Sequence, residues 1–224
     1  MQLLLIRHAD PDYPNHTITE KGHRQAELLA LSLQRTRIDR LVVSPMRRAQ
    51  HTANYLIRLR GIDFTVHEFL RELNGRYNDT DWAWGHHGCD LLSPGHDVTK
   101  TNWQDHVPYG EHMGPVYAAF IAQVDAFLAE LGLLRSGYLY SVVRQVDETI
   151  AVVCHAGVIQ TLLSHLLHVP LPVAYSQLRI DPSSVTRLQL ETKDRLGVFR
   201  LVSLNDMSHT ASMPESVGYR IPER

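Results

Sequence analysis

Cysteine is almost missing from this chain: Cys89 and Cys154 are the only two in 224 residues. Two such distant positions build no disulfide framework, and a reducing cytoplasm is the compartment this usage fits. Lysine is limited to Lys21, Lys100 and Lys193, so most of the basic side chains are arginines, the better planar forks for phosphate and carboxylate groups. Long apolar runs are also lacking. No stretch approaches the roughly 20 residues that span a bilayer, and the opening Met1-Gln2-Leu3-Leu4-Leu5-Ile6-Arg7 is too short for a signal peptide, so no membrane partner is expected. Net charge is −2 with neutral histidines, which removes the global basic field that nucleic-acid binding calls for. What is present is an ordinary globular composition, 44% hydrophobic and 21% charged, with an unusual stock of 14 histidines.

Hydrophobic patterning alternates between two periods. Residues 3–6 read as a short buried strand, and Thr19 caps a helix whose apolar face is Ala26, Leu29, Ala30 and Leu33. Residues 40–43 form a second strand. Ser44-Pro45 opens a second helix, striped by Ala49, Ala53, Leu56 and Ile57, and residues 64–66 form a third strand. Val116, Phe120, Val124, Phe127 and Leu131 mark a long helix, residues 149–154 an apolar strand, and residues 158–167 the helix behind it. Residues 184–190 and 198–204 read as strands joined by a turn, and the tail from Asn205 as polar and irregular. Residues 74–115 lack clean periodicity but carry glycines, prolines, Trp82, Trp84 and Trp103. They read as an insertion without a core of its own. The fold class expected is α/β: a three-layer sandwich, a mostly parallel sheet flanked by helices, with the insertion over the sheet's C-terminal edge. One domain over residues 1–224 is expected.

Such sheets bind ligands beyond the carboxyl ends of their strands. Arg7-His8 follows the first strand, Ser44-Pro45-Met46-Arg47-Arg48-Ala49 the second, and His155-Ala156-Gly157 the strand at 149–154. Arg71-Glu72 follows an extended stretch after the third. Phosphoryl transfer needs an in-line nucleophile, cations around the equatorial oxygens, and an acid for the leaving oxygen. Neutral imidazole near pH 7 is a good nucleophile. Arg7 and Arg48 supply guanidinium forks, His155 a further contact, and the helix beginning near Gly157 its backbone amides. Glu72 suits the acid if burial raises its pKa, with Asp10 as a competitor.

These segments, together with Gln50-His51-Thr52-Ala53, Leu70-Arg71-Glu72, Gly110-Glu111 and Thr19-Glu20-Lys21-Gly22-His23-Arg24-Gln25-Ala26, resemble the histidine phosphatase superfamily, and within it the phosphoglycerate-mutase-like branch. The resemblance runs from Met1 to about Leu167. It implies that His8 is phosphorylated, that Arg7, Arg48 and His155 form the phosphate pocket, that Glu72 is the proton donor, and that neither metal nor organic cofactor takes part. Ala9 and Ala156 stand where the family commonly has Gly, so a methyl group meets backbone meant for glycine. The stretch after Glu72 departs from the mutase pattern, which favours hydrolysis.

The reading is therefore a phosphatase acting on a small-molecule phosphomonoester through a phosphohistidine on His8. A phosphoglycerate-type mutase and a non-catalytic phospho-ligand binding protein are the alternatives. Asn15 is a further substrate-contact candidate in the first loop. Glu111 reads as a carboxylate at a helix start, Arg47 as a solvated helix arginine, and His86-His87-Gly88-Cys89-Asp90 as lid loop, because its spacing fits no zinc pattern. A homodimer is the default assembly.

Overall fold

An eight-stranded mixed sheet carries the fold in this computed structural model, which describes residues 1–76, 81–93, 98–105, 109–145 and 147–213. Parts of the expected insertion, and the tail beyond residue 213, lie outside the described residues. In chain order the elements are β1 (Gln2–Arg7), β2 (Pro11–Asp12), β3 (Thr17–Ile18), α1 (Glu20–Ser32), β4 (Arg40–Val43), α2 (Arg47–Arg60) and β5 (Phe64–Val66). Then come α3 (Gly88–Leu91), α4 (Gly114–Glu130), β6 (Leu133–Ser136), β7 (Leu139–Val142), β8 (Thr149–Cys154), α5 (Ala156–Leu167), α6 (Leu171–Gln177), β9 (Val185–Lys193) and β10 (Leu196–Asp206).

The strand order is β5-β4-β8-β1-β9-β10-β7-β6. From β5 to β1 the pairing is parallel; from β1 to β6 it is antiparallel. β1 lies at the seam, with β8 on one side and β9 on the other. Its alternate residues face opposite layers, as the two-residue period requires. Leu3 and Leu5 pack with Val152, Phe120, Val124, Val158 and Leu162 under α4 and α5. Leu4 and Ile6 pack with Val153, Leu29, Leu33, Ala53 and Leu56 under α1 and α2. Full burial of each such side chain contributes about 1.5–3 kcal/mol, so β1 is anchored from both faces.

Thr19 caps α1 by accepting from the Gly22 amide, as expected. α2 begins at Arg47, later than its expected opening at Ser44-Pro45. The Ser44 hydroxyl is committed to His155, leaving Ser44 and Pro45 in the approach to the helix. The β9–β10 hairpin is longer than its sequence signal, because Asp194 and Arg195 both take positive φ and close a two-residue turn. The β6–β7 hairpin and α6 were not signalled. The insertion contributes 3-10 turns at Ala83–Gly85 and Trp103–Asp105, α3, and a π-helical turn at Tyr109–Met113. Its Ala83, Leu91, Trp103 and Tyr109 share an apolar cluster with Tyr117, Leu171 and Tyr175 of α4 and α6, so it packs on the body.

Candidate active site

β1 ends at Arg7, and His8 follows it in extended continuation, its amide donating to the Cys154 carbonyl at 2.9 Å. His155 follows β8 as the N-cap of α5. Register pairing of Arg7 with Cys154 therefore sets the two histidines side by side, with ring centroids 5.1 Å apart. His8 is 1% exposed and His155 0%.

Hydrogen bonding fixes the His8 tautomer. His8 Nδ1 lies 2.8 Å from the Ala9 carbonyl, which only accepts, so Nδ1 carries the proton and Nε2 keeps its lone pair. Burial, reinforced by the positive Arg7 and Arg48, pushes the His8 pKa down to about 3, so the ring is neutral at physiological pH. The Ser44 hydroxyl accepts from the Met46 amide at 3.3 Å and lies 2.7 Å from His155 Nε2. When that hydroxyl donates to Nε2, His155 presents Nδ1 as an N–H donor. Burial, with His8, Arg48 and Arg7 as neighbours, holds the His155 pKa far below its usual range.

Arg7 is anchored through its guanidinium to the Ile180 carbonyl at 2.6 Å. Arg48 is buried in the first turn of α2 beneath the Tyr13 ring, 5.6 Å from its centroid. Arg47 is exposed, as read. Among the described residues, Arg7 Nε, Arg48 Nε and His155 Nδ1 are buried and have no acceptor. A buried unsatisfied donor costs about 1–3 kcal/mol, and the acceptor atoms of an anionic ligand could satisfy all three.

Glu72 faces this group. Its carboxylate accepts from the Leu73 amide at 3.2 Å and from the Gly157 amide. Burial raises its pKa against the opposing pull of those amides, Arg48 and Arg7. Asp10, the competing acid, is turned away: its carboxylate accepts from the Thr19 hydroxyl at 2.7 Å. Asn15 is exposed, and its amide donates to Asp12 at 2.7 Å within its own loop. Glu111 is exposed in the π-helical turn before α4. The His87 ring accepts from the Cys89 amide and caps α3.

Neither alanine at a family glycine position is strained. The described non-glycine residues with positive φ are His16, His168, Ser183, Asp194, Arg195 and Asn205. Ala9 is wholly buried, and its amide donates to the Thr52 hydroxyl at 2.9 Å. Gly157, by contrast, is tightly packed: a Cβ there would sit 2.8 Å from Glu72 Oε1, so the carboxylate would have to shift. Sequence reasoning did not find Ser44 as the orienter of His155, Ile180 as the anchor of Arg7, or Tyr13 over Arg48.

A nucleophile-ready imidazole among guanidinium groups at the carboxyl edge of a parallel sheet defines an α/β enzyme of phosphate esters. Comparison with known proteins narrows this. Residues 3–206 match the family model of the histidine phosphatase superfamily (branch 1), and the chain belongs to that superfamily. An adenosylcobalamin/alpha-ribazole phosphatase of Salmonella typhi is 32% identical over 182 residues, covering 76% of this chain and 81% of the relative. Among solved structures, a phosphoserine phosphatase of Entamoeba histolytica in complex with phosphoserine aligns with a TM-score of 0.64 at 18% identity, covering 93% and 98% of the two chains. A mycobacterial glucosyl-3-phosphoglycerate phosphatase with VO3 aligns at 0.62 and 24% identity, covering 91% and 98%.

Proposed function

We propose that the chain hydrolyses a small phosphomonoester through a phosphohistidine on His8, and that its substrate is a ribosylated aromatic base of the α-ribazole 5′-phosphate kind. The observation that carries the chemistry is the His8 Nε2 lone pair beside three buried donors without acceptors. In the first step Nε2 bonds to phosphorus and the ester P–O bond breaks. Arg7, Arg48 and His155 hold the equatorial oxygens, and Glu72 gives its proton to the leaving oxygen. In the second step water attacks phosphorus, its proton passes to the Glu72 carboxylate, and the N–P bond breaks to release phosphate. Each preorganised donor of this kind typically accounts for a factor of about 100–1000 in rate.

Two observations support the substrate class. The relative at 32% identity bears the alpha-ribazole phosphatase name. The Trp82 ring, 43% exposed, stacks on Trp84 at 5.2 Å and offers its outer face to a planar base. A cytoplasmic location and a homodimer complete the reading; the unbridged Cys89 and Cys154 fit the former.

A metal-free panel of α-ribazole 5′-phosphate, phosphoserine, 4-nitrophenyl phosphate and 3-phosphoglycerate tests it by phosphate release. His8→Ala is expected to lose turnover while still binding inorganic phosphate. Glu72→Gln is expected to slow alkyl esters far more than 4-nitrophenyl phosphate, whose leaving group needs no acid. Undiminished activity of His8→Ala overturns the nucleophile. Interconversion of phosphoglycerates outpacing phosphate release makes the chain a mutase, and no turnover of any ester makes it a binding protein.

A further inference from the structure

Trp84 of the insertion reaches the site. A Cβ built on Gly157 would lie 2.8 Å from Glu72 Oε1 and also 3.2 Å from Trp84 Cζ3. A Cβ built on Gly75 would lie 2.1 Å from the same Trp84 carbon and 2.5 Å from Cη2. The six-membered edge of the indole therefore lies across two bare stretches of backbone, and it shares the space over Gly157 with the carboxylate of Glu72. A side chain at Gly75 would displace it, and one at Gly157 would press on it. Trp84 is itself held from outside: Trp82 stacks on it with ring planes at 25°, Tyr175 of α6 meets it edge-on at 5.8 Å, and the Ala83 amide donates to the Gly75 carbonyl at 2.8 Å.

The remaining neighbours of Glu72 are polar or cationic. Arg7 from β1 and Arg48 from α2 favour its ionised form, as do the Leu73 and Gly157 amides. Tyr175 of α6 and Cys154 of β8 are the other titratable groups that sense its charge, and burial keeps both of them protonated. Left to these groups alone, the carboxyl would ionise readily. The Trp84 indole adds an apolar surface beside the same Gly157 backbone.

We propose that Trp84 is a positioning residue for the proton donor, its indole packed over the Gly157 backbone beside Glu72 so that it shields the carboxyl on the side of the insertion. This rests on the reading of Glu72 as the acid.

The test compares Trp84→Ala, Trp84→Leu and Trp84→Phe with the parent on 2-glycerophosphate and 4-nitrophenyl phosphate from pH 5 to 9. Trp84→Ala should lower kcat/KM on the alkyl ester about tenfold or more, while 4-nitrophenyl phosphate changes by less than about threefold. The basic limb of the alkyl-ester profile should move down by about one pH unit, the sense in which a re-solvated carboxyl shifts. Trp84→Phe, which keeps an apolar wall, should recover most of both effects, and Trp84→Leu part of them. Equal losses on the two esters with an unmoved limb overturn the proposal. If Trp84→Ala does not fold, the Leu and Phe variants decide by the same criteria. Glu72→Gln separates the two claims: if it fails to discriminate between the esters, the acid assignment falls; if it discriminates and the Trp84 variants do not, only this inference falls.

Discussion

Single hydrogen bonds decide what each histidine can do. The Ala9 carbonyl turns the His8 lone pair outward at Nε2, and a Ser44 hydroxyl that donates to His155 Nε2 leaves a proton outward on Nδ1. Losing the Ser44 bond leaves His155 free to rotate or change tautomer. Ser44→Ala is expected to weaken inhibition by inorganic phosphate and lower kcat/KM by about tenfold, the equivalent of one hydrogen bond of about 1.4 kcal/mol. Unchanged inhibition would mean that Ser44 does not set the tautomer. At this scale the sequence disclosed residue types better than pairings. Arg48 rather than Arg47 could be chosen from the resemblance, because it falls on the family's Arg-Ala step, and Arg48 is buried where Arg47 is exposed. Ser44 and His155 are 111 residues apart, as are many other serines and histidines, and nothing local announces that their strands lie side by side.

Elements were legible where burial imposes a period. β4, buried at Leu41, Val42 and Val43, coincides with its expected bounds, and β5 does too although its three residues are exposed, because Phe64, Thr65 and Val66 are strand-forming side chains. β6 and β7 have only four residues each and leave Leu134 and Leu139 exposed, so they carry no pattern that separates strand from loop. α6 begins beside Pro170 and Pro172, which suit a first turn, but its seven residues are too few to show a helical period. The insertion is fastened by Lys100. Its ammonium donates to the Tyr117 hydroxyl at 2.8 Å, the Ser164 carbonyl at 2.9 Å and the Val169 carbonyl at 3.5 Å, and burial lowers its pKa to about 8. Tyr117 in turn packs edge-on against Trp103 at 5.1 Å. Lys100→Met should cost about 2 kcal/mol of stability, since it strands these acceptors. Amide exchange should accelerate at Ala83–Gly85 and Trp103–Asp105 and stay slow in β1 and β8. An even acceleration across the chain would contradict Lys100 as a local fastening.

Across the whole molecule, buried histidines make stability depend on pH. His8 is lowered to about 3 and His209 to about 4, both chiefly by burial, and His155 lies lower still, against 6.5 in the unfolded chain. As pH falls below 6.5 the unfolded chain takes up protons that the folded chain refuses. Stability is therefore complete above that pH and falls towards pH 4, by about 1.4 kcal/mol per pH unit for each such proton. Glu72, whose pKa is raised, acts in the opposite sense, because the folded form holds its proton longer. Urea unfolding at pH 7, 6 and 5 should show the decline, and His8→Asn and His209→Gln should each flatten it by about one proton. Parallel curves for parent and variants would refute the linkage.

The position of β1 at the seam has a consequence for the order of synthesis. Its other neighbour, β9, begins only at Val185, and the Ser183 amide and Ser184 carbonyl just before it bind the His8 carbonyl and Arg7 amide. β1 leaves the ribosome long before β9 and must wait, unpaired on that side, until residue 185 has been made. Loop closure over such a separation is slow. A nascent or truncated chain that ends before β9 would carry all five chemical groups and still be inert.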